Sequence, residues 1–441
     1  MYSNDTTAMI ALKPEPQIQI TCPQCQSQRS KVKEVLIQST FVMADCSCST
    51  CGFEFYQTLP VGHTVSDTFS IGKSDGELHP PDSKTIWLSE ALLKAHHSPK
   101  QDEVPIRKII YEKQEHVVVL NALDYLYGHS LLKLYNSLYH IDHHPDLGLI
   151  IIIPKLFEWL IPQGCAEAWV VDLTLQELRY SYPSIQKFVS TEFERFHTIY
   201  LSKAYSHPDY TGLDIRRFTG IRPFNLDDFT QGPPTITFIL REDRWWFPGT
   251  ADYWFYRLCR KFKLVGLGRR ILSTRQNNLV RKTIKAIRKQ LPGANFKIVG
   301  LGTTGNFIRH ALDERKNDMS ASVEKDWCRI YARSHVVVGV HGSNMLLPTA
   351  FAAGCVEILP EERYGNMVQD ISVRYSDRRQ LFFYRFADQY ASPESVARKV
   401  VAMIDDYDVY NKNMCSNLYR SGNGLHDLSP LVPDADIYAI D

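Results

Sequence analysis

Apolar and polar positions alternate in blocks along the first half of the chain. Short apolar runs rich in β-branched residues lie at 116–120, 149–153 and 169–171, and longer amphipathic stretches lie at 130–139 and 180–196. Short runs of this composition are typical of strands buried on both faces of a sheet, whereas the longer stretches predict helices. This β-loop-α-β order predicts a Rossmann-like half with a parallel sheet.

The second half repeats this order after the pair Pro233-Pro234, which indicates a hinge between two domains. Further strands are predicted at 235–241, 296–299, 334–340, 355–359 and 380–384, and further helices at 276–290, 326–333 and 392–405. The sequence therefore predicts an α/β fold with two Rossmann-like domains.

One predicted strand ends in a turn suited to an anion. The run from Ser334 stops at His341-Gly342-Ser343-Asn344, where small residues expose backbone N–H groups at the start of a helix. The carboxyl ends of parallel strands face the ligand crevice, so this turn is a candidate phosphate site.

A lone acid, Glu357, lies near the end of the next apolar run. At the carboxyl end of a parallel strand, such a carboxylate can accept hydrogen bonds from ribose hydroxyls. Together with the turn at His341, it indicates a nucleotide. The alternatives are a capping or core histidine at 341 and an ordinary solvated acid at 357.

The order of these residues resembles that of the catalytic domain of glycosyltransferase family 61. The shared pattern is Gly-x-His-Gly-Ser/Ala, a helix with a glycine at its end, and Val-Glu-Ile-x-Pro, which corresponds here to Gly339–Ser343, Gly354 and Val356–Pro360. The resemblance implies a GT-B enzyme, built of two Rossmann-like domains. It also implies sugar transfer from a nucleotide-sugar donor, a UDP-sugar being favoured, to a glycan or other hydroxyl acceptor with inversion, as in polysaccharide biosynthesis.

The resemblance also assigns a role to Arg241. A strand of this kind ends in Ser-Arg in the family, and here it ends in Leu240-Arg241. A guanidinium at that strand end can bind the diphosphate and stabilise its charge as it leaves. The alternative is an ion pair between Arg241 and Glu242 or Asp243.

Inverting transfer requires a base on the acceptor hydroxyl, opposite the leaving diphosphate, which places the base on the first domain. Our first candidate is His129, at a junction between a loop and a helix, and our second is Asp124. A histidine at such a junction is as often a cap or a core residue. No catalytic metal is expected, because GT-B enzymes generally hold the diphosphate with helix dipoles and cationic side chains.

Half of the ten cysteines lie between residues 22 and 51. The pairs Cys22/Cys25 and Cys48/Cys51 form two Cys-x-x-Cys knuckles with the spacing of a four-cysteine zinc ribbon. Two such knuckles close a tetrahedron around one ion, so they predict a structural Zn²⁺ without an open coordination position.

Two alternatives to this ligand set remain. Cys46 could replace Cys48 in a looser loop, although Cys48 repeats the first knuckle better. Disulfide pairing is the other alternative, but the remaining cysteines are scattered through apolar segments like ordinary reduced core residues. The ribbon is not part of family 61, so its role as a cap, a protein contact or an acceptor contact stays open.

Composition adds little about partners. The chain has 441 residues, of which 44% are hydrophobic, and a formal net charge of +1. This length fits two or three domains, and the small net charge selects no partner. The first thirty residues contain no apolar run able to form a signal peptide, and no later run is long enough to span a bilayer. We therefore expect a soluble cytoplasmic protein, whereas eukaryotic members of family 61 are typically lumenal.

The stretch 253–290 carries twelve lysines and arginines and no acid, and aromatic residues stand at its front. Such a stretch fits an anionic acceptor, a lipid diphosphate, a membrane surface or a nucleic acid. The simpler interpretation is the solvated face of a helix. We retain peripheral membrane contact through 245–290 as a prediction and expect no nucleic acid as a partner.

The segment 300–305 matches Gly-x-Gly-x-x-Gly after a strand, which is a pattern of dinucleotide-binding sites. The acid that would bind the ribose, Asp313 or Asp318, lies in a polar stretch and not at the end of a second strand. Two other functions therefore stay open. One is a zinc-ribbon protein that binds a nucleotide or a partner without catalysis, and the other is a dinucleotide-dependent oxidoreductase.

These features divide the chain into five predicted segments. They are a zinc ribbon with an N-terminal tail at 1–62, a linker at 63–105, an N-terminal Rossmann-like acceptor domain at 106–232, a C-terminal Rossmann-like nucleotide-sugar domain at 233–390, and a C-terminal helix that returns to the first domain, with a tail, at 391–441.

Overall fold

A computed structural model describes residues 8–79, 86–209 and 211–414. The strands are β1 (Met9–Lys13), β2 (Ser30–Ile37), β3 (Val42–Cys48), β4 (Glu54–Thr58), β5 (Ser70–Gly72), β6 (Leu78–His79), β7 (Ile106–Ile110), β8 (His116–Asn121), β9 (Gly148–Pro154), β10 (Glu167–Val171), β11 (Thr198–Ser202), β12 (Thr235–Arg241), β13 (Asn295–Leu301), β14 (Leu312–Asp313), β15 (Val336–Val340), β16 (Gly354–Leu359) and β17 (Tyr384–Asp388). The helices are α1 (Ile86–His97), α2 (Tyr127–His143), α3 (Pro183–Phe193), α4 (Arg216–Thr219), α5 (Thr250–Lys261), α6 (Val265–Gln290), α7 (Ala321–Tyr331), α8 (Leu346–Phe351), α9 (Arg379–Phe383), α10 (Pro393–Asp405) and α11 (Tyr407–Met414).

The second domain contains a six-stranded parallel sheet in the order β14-β13-β12-β15-β16-β17. This is the strand order of a Rossmann fold, in which the chain starts in the middle and builds outward in two directions. Every residue of β15 and β16 is buried, as their β-branched composition predicts for strands covered on both faces. The direction of winding reverses between β12 and β15, which makes the carboxyl ends of these two strands the expected ligand crevice.

The first domain contains a sheet in the order β1-β11-β8-β9-β10-β7. The four inner strands are parallel, whereas β1 and β7 pair antiparallel at the two edges. All seven residues of β9 are buried. Here the winding reverses between β8 and β11, so the crevice of this domain lies at their carboxyl ends. The predicted fold class, two Rossmann-like α/β domains after a small cysteine-bearing unit, is confirmed.

The N-terminal unit is a five-stranded antiparallel sheet formed by β2 through β6. It is tied to the first domain by polar contacts: Gln186 on α3 accepts a hydrogen bond from the Ile37 amide, and Leu178 accepts one from Ser39. The Gly62 amide donates to the Lys203 carbonyl just beyond β11. The sheet therefore lies against the domain and is not a separately tethered module.

Several boundaries differ from the sequence prediction. The predicted linker 63–105 contains β5, β6 and α1, so much of it is regular structure. The run 380–384 is mostly helical, because 379–383 forms α9 and β17 begins only at Tyr384. Short aromatic runs of this kind do not distinguish a strand from a buried helical turn.

The C-terminal helices also differ in position from the prediction. Helix α10 packs on α6 and on β16 and β17, and Tyr407 at the start of α11 joins the same core. Up to residue 414 these helices stay on the second domain and do not return to the first. The predicted tail beyond residue 414 lies outside the described residues.

Among the described helices, none combines the length and the apolar composition that crossing a bilayer requires.

Candidate functional site

The crevices of the two domains face each other across one cleft. Asp124 and His129 follow β8, and His207 follows β11, so all three lie at the crevice of the first domain. Arg241 ends β12 and His341 follows β15 at the crevice of the second. The domains are in close contact here, because a Cβ on Gly128 would lie only 2.6 Å from Cβ of Ser343. The start of α2 thus packs directly on the His-Gly turn.

Asp124 is the buried centre of the first wall. Its side chain is 1% exposed and forms an ion pair with the equally buried Lys133, at 2.8 Å between Nζ and Oδ2. The Leu126 amide donates to the other oxygen at 3.0 Å. Burial alone would raise the pKa of Asp124, but Lys133 and the neighbouring histidines outweigh it and lower the pKa below its usual value. Asp124 is therefore a fixed anion.

Two histidines lie against this anion. His63 Nε2 and His129 Nδ1 are 2.5 Å apart, and the two nitrogens lie 3.9 Å and 3.8 Å from the Asp124 oxygens. His207 adds a third imidazole, with its ring centre 5.7 Å from that of His129. His63 is in a short 3-10 turn between β4 and β5 of the N-terminal sheet, so that sheet brings it to the cleft.

The environment keeps these imidazoles neutral at neutral pH. Burial and, to a smaller extent, the proximity of His129 together lower the pKa of His63 to about 3. Burial also lowers the pKa values of His129 and His207. A neutral histidine has one nitrogen able to accept a proton, which is what a general base requires.

The same three side chains, His63, Asp124 and His129, could hold a divalent cation, because their ligand atoms all lie within 4.8 Å of one another. The ammonium of Lys133 opposes this, since it already neutralises the carboxylate at 2.8 Å. The charges of the site therefore suit proton transfer better than metal binding.

His341 and Glu357 form a buried pair in the second wall. Nδ1 of His341 lies 2.5 Å from Oε2 of Glu357, and neither side chain has exposed surface. Burial raises the pKa of Glu357, and the bond to His341 opposes that rise. In this arrangement Glu357 orients the imidazole, and a ribose would reach the carboxylate only if side chains moved. Nε2 of His341 lies 4.0 Å from Asp370, toward the first domain.

The turn after His341 requires a glycine. Gly342 has a φ of 141°, and a Cβ there would lie 1.7 Å from Nη1 of Arg244. That guanidinium donates to the His341 carbonyl at 3.2 Å. The amides of Ser343 and Asn344 begin the helical segment and have no acceptor within it, so they are available to an anion.

A cavity of about 470 Å³ lies beside this turn. Its lining combines Arg241 and Asn344 from the second domain with Tyr127 from the first. Arg241 makes a two-pronged ion pair with Asp243, at 2.8 Å for each bond. This is the alternative considered above, yet the guanidinium still borders the cavity. Within the described structure, Oδ1 of Asn344 is buried without a hydrogen-bond partner.

The structure thus brings together most residues that the sequence singled out. His129 and Asp124 lie on one wall, Arg241 and the turn from His341 to Asn344 on the other, and Glu357 behind His341. Sequence reasoning missed five further polar groups of the cleft: His63, Lys133, His207, Arg244 and Asp370. None of them belongs to a local motif, and only long-range packing places them here.

A buried carboxylate joins the two domains at the back of the cavity. Glu324 on α7 accepts hydrogen bonds from Tyr127 and, at 3.4 Å, from Trp159. Burial raises the pKa of Glu324 to about 7, although both hydrogen bonds lower it. Folding therefore favours the protonated form, whereas the unfolded chain ionises near pH 4.5.

This shift predicts a pH-dependent cost that glutamine would remove. Between pH 4.5 and 7 Glu324 holds a proton in the native state that it has lost in the unfolded state. Its contribution to the free energy of unfolding therefore falls as pH rises through this range and is constant above pH 7. We expect Glu324→Gln to gain up to about 3 kcal/mol over wild type across this window. Urea unfolding at pH 5 and pH 8 measures the difference.

Glu192 provides the control, because it is also buried but is ion-paired with Lys108 and Arg195. Glu192→Gln should lose stability at both pH values. Equal effects of Glu324→Gln at pH 5 and pH 8 would contradict the raised pKa.

The four predicted zinc ligands converge at the edge of the N-terminal sheet. The sulfurs of Cys22 and Cys51 are 3.7 Å apart, those of Cys25 and Cys48 are 3.6 Å apart, and all four lie within 4.8 Å of one another. Tetrahedral bonds of ~2.3 Å place sulfurs roughly 3.8 Å apart, so the cluster fits Zn²⁺. Hydrogen bonds from the Cys51 and Thr50 amides lower the pKa of Cys48 to about 6.

Cys46, the alternative ligand, is not part of this cluster. Its sulfur donates to the Ala44 carbonyl at 3.5 Å, and burial raises its pKa to about 12. A buried thiol that stays protonated is a poor metal ligand.

Comparison with known proteins gives partial matches. No protein-family model matches the chain. No curated protein matches it either. Among solved structures, the chain is similar to a glycosyl transferase family 9 protein from Veillonella parvula DSM 2008, with 10% identity and a TM-score of 0.36 over 67% of this chain and 99% of that one. It is also similar to the E. coli ADP-heptose LPS heptosyltransferase II, with 10% identity and a TM-score of 0.34 over 66% and 99%. The wall teichoic acid polymerase TagF gives 10% identity and a TM-score of 0.25 over 75% and 90%. Similarities of this size do not assign the chain to family 61 or to any other family.

Proposed function

We propose that this chain is an inverting glycosyltransferase that moves a sugar from a nucleotide-sugar donor to a hydroxyl acceptor. The main support for the proposal is that the crevices of the two domains face each other across the cleft. A cationic, amide-rich crevice on the second domain lies opposite a crevice on the first that holds neutral imidazoles beside a fixed carboxylate. Transfer requires both, because one side must accept a leaving diphosphate while the other removes a proton.

The donor side is the crevice at β12 and β15. Arg241 borders the cavity, Arg244 lies under the turn, and the Ser343 and Asn344 amides begin the helical segment. Guanidinium groups and amides at a helix start stabilise the negative charge that grows on a departing diphosphate. We place the diphosphate here and the sugar toward the first domain, with a UDP-sugar as the donor to test first.

The acceptor side supplies the base. His129 takes the proton of the acceptor hydroxyl as its oxygen bonds to the anomeric carbon, and the bond from that carbon to the diphosphate oxygen breaks with its electron pair leaving on the diphosphate. Attack opposite the leaving group inverts the anomeric centre. The resulting imidazolium lies 3.8 Å from Asp124, which stabilises the new positive charge.

The hydrogen bond to His63 sets which nitrogen of His129 can act. If Nδ1 of His129 donates to Nε2 of His63, the Nε2 lone pair of His129 is free to accept the hydroxyl proton. His63 is thus a positioning residue, and the N-terminal sheet contributes to the chemistry through it.

The four cysteines are proposed to hold a structural Zn²⁺, since their sulfur spacing fits a closed tetrahedron. The bound ion would join the two knuckles into one rigid unit. The turn that carries His63 would thereby be held against Lys203.

The oxidoreductase alternative lacks its structural context. The Gly300–Gly305 segment begins with the last two residues of β13, but the described chain from Gly302 to Asn317 contains turns and β14 and no helix. A dinucleotide fingerprint requires a helix whose start meets the pyrophosphate. Gly300, the first glycine of this segment, instead borders the cavity at the proposed donor site.

Nucleotide binding tests the proposal directly. We expect UDP or GDP to raise the melting temperature of the protein, because a ligand that binds only the native state stabilises it. Arg241→Gln and Asn344→Asp should weaken this binding by at least tenfold, since one removes a cation and the other adds an anion beside the diphosphate. Calorimetry gives the affinities, and release of free sugar from UDP-sugars and GDP-sugars gives the hydrolysis rate.

Arg379→Gln is a matched control. Arg379 pairs with Asp377 two residues away, as Arg241 pairs with Asp243, but it lies outside the cleft. A rise in melting temperature with NAD but not with UDP or GDP would contradict the transferase proposal. Nucleotide binding without donor hydrolysis or transfer would favour the binding protein without catalysis.

A further inference from the structure

A helical hairpin on the second domain exposes an unusual number of apolar side chains. It is formed by α5 and α6 and by the turn between them, and every residue from 260 to 267 is exposed. The apolar side chains at this tip are Trp254 (63% exposed), Leu258 (51%), Phe262 (63%), Leu264 (51%), Val265 (52%) and Leu267 (57%). Large apolar residues clustered on a surface mark an interaction site.

The charged side chains from residue 253 to the end of α6 are all of one sign. The exposed cations of the hairpin tip are Arg257, Arg260, Lys261, Lys263, Arg269 and Arg270. No acid occurs between residues 253 and 290. Cations that alternate with exposed aromatic and aliphatic side chains are typical of helices that lie in a membrane interface.

We propose that the tip of this hairpin docks on a bilayer that contains anionic lipids. Phe262 and Leu264 would enter the headgroup region, and the lysines between and beside them would contact lipid phosphates. A second copy of the chain fits less well, because the same face would bring cations against cations. A nucleic acid would use the cations but leave the apolar tip in water.

The hairpin lies next to the proposed donor side. A cavity of about 560 Å³ beneath it is lined by Arg260 and Arg269 and also by Asp243, the partner of Arg241. Docking at the tip would therefore hold the cleft close to the membrane surface. If the transferase proposal holds, this placement specifies its acceptor as a hydroxyl compound carried on a membrane lipid.

Vesicle flotation tests the docking without any nucleotide. We expect the protein to float with vesicles of phosphatidylcholine and phosphatidylglycerol, with at least a tenfold larger bound fraction than with phosphatidylcholine alone. It should detach in 0.5 M salt, because the Debye length is then only a few ångströms and the lipid charges are screened. Phe262→Ser/Leu264→Ser and, separately, Lys261→Glu/Lys263→Glu should each reduce binding at least tenfold.

Two pairs of control variants match these changes. Ile308→Ser/Leu381→Ser removes apolar side chains that are 83% and 81% exposed elsewhere. Lys113→Glu/Lys187→Glu reverses two exposed charges on the first domain. Both should float like wild type.

Equal flotation with neutral and anionic vesicles, or no effect of the tip variants, would overturn the proposal. Light scattering that shows a dimer dissolved by Phe262→Ser/Leu264→Ser would assign the tip to a second copy instead. If a tip variant fails to fold, the salt and lipid dependence of wild type still decides. Because flotation uses no nucleotide and the calorimetry uses no membrane, failure of either proposal is seen separately.

Discussion

Replacement of His129 by asparagine is expected to lower the turnover of sugar transfer by about 10²- to 10⁴-fold, the usual contribution of a general base. Nucleotide affinity should stay within about twofold, because the side chain faces the acceptor and not the diphosphate, and loss of proton transfer acts on the transition state. Initial rates at saturating donor and acceptor, with calorimetry for the nucleotide, separate these effects.

His143→Asn is the matched control, since His143 lies exposed at the other end of the same helix. It should transfer sugar at the wild-type rate. Sugar transfer by the wild-type protein should slow only below about pH 6.5, the ordinary pKa of an imidazole. Burial lowers the pKa of His129 below that value, and the base must be neutral to act. Full activity of His129→Asn would move the role of base to Asp124 or to another group of the cleft.

Much of the second domain could be predicted because its strands are fully buried. A strand covered on both faces needs an unbroken apolar run, as in Val336–Val340 and Gly354–Leu359, and such runs are visible without tertiary information. The turn at Gly342 could also be predicted from the local sequence, since a glycine after a buried strand favours a turn with positive φ, which Gly342 has. These two signals located the second wall of the cleft.

Elements that depend on distant partners could not be predicted in the same way. Strand β1 pairs with β11, nearly 200 residues later, and nothing in Met9–Lys13 specifies that partner. Helix α10 has a clear cap at Ser392, which predicts where it starts but not which domain it packs on. Local patterns fix the type of an element, whereas its position depends on long-range packing.

The site shows the same division. His129 and Asp124 were found because they follow a buried strand, and their proximity follows from that loop. His63 lies 66 residues earlier, in a segment whose polar composition predicts a linker, and only packing of the N-terminal sheet brings it to His129. The pairing of Glu357 with His341 could likewise not be predicted, because it depends on how the adjacent strands β15 and β16 align at their ends.

The N-terminal sheet therefore connects the cysteine cluster to the proposed chemistry. The Gly62 amide donates a hydrogen bond to the Lys203 carbonyl, and a Cβ on Gly62 would lie 2.7 Å from Cε of Lys133. The turn before His63 therefore packs on the ion pair that holds Asp124. Any loosening of the sheet should displace His63 from His129 before it disturbs the second domain.

Loss of one cysteine ligand should test this connection with a large effect. We expect Cys48→Ser to retain less than about one tenth of the zinc bound by wild type, and the sheet to lose a stabilisation on the order of 10 kcal/mol that metal binding supplies to such units. Amides of β2 to β4 should then exchange with solvent far faster, and transfer should slow because His63 is no longer held. Atomic emission gives the zinc content, and hydrogen exchange gives the order of the sheet.

Cys46→Ser separates the metal from a general loss of packing. Cys46 lies two residues from Cys48 on the same strand and is also buried, but its sulfur donates to the Ala44 carbonyl and is not part of the cluster. It should keep one zinc per chain and slow exchange in the sheet. If Cys46→Ser lost the metal and Cys48→Ser kept it, the looser ligand set would be correct. If neither variant changed zinc content or exchange, the cluster would not hold a structural ion, and the position of His63 would depend on packing against the first domain alone.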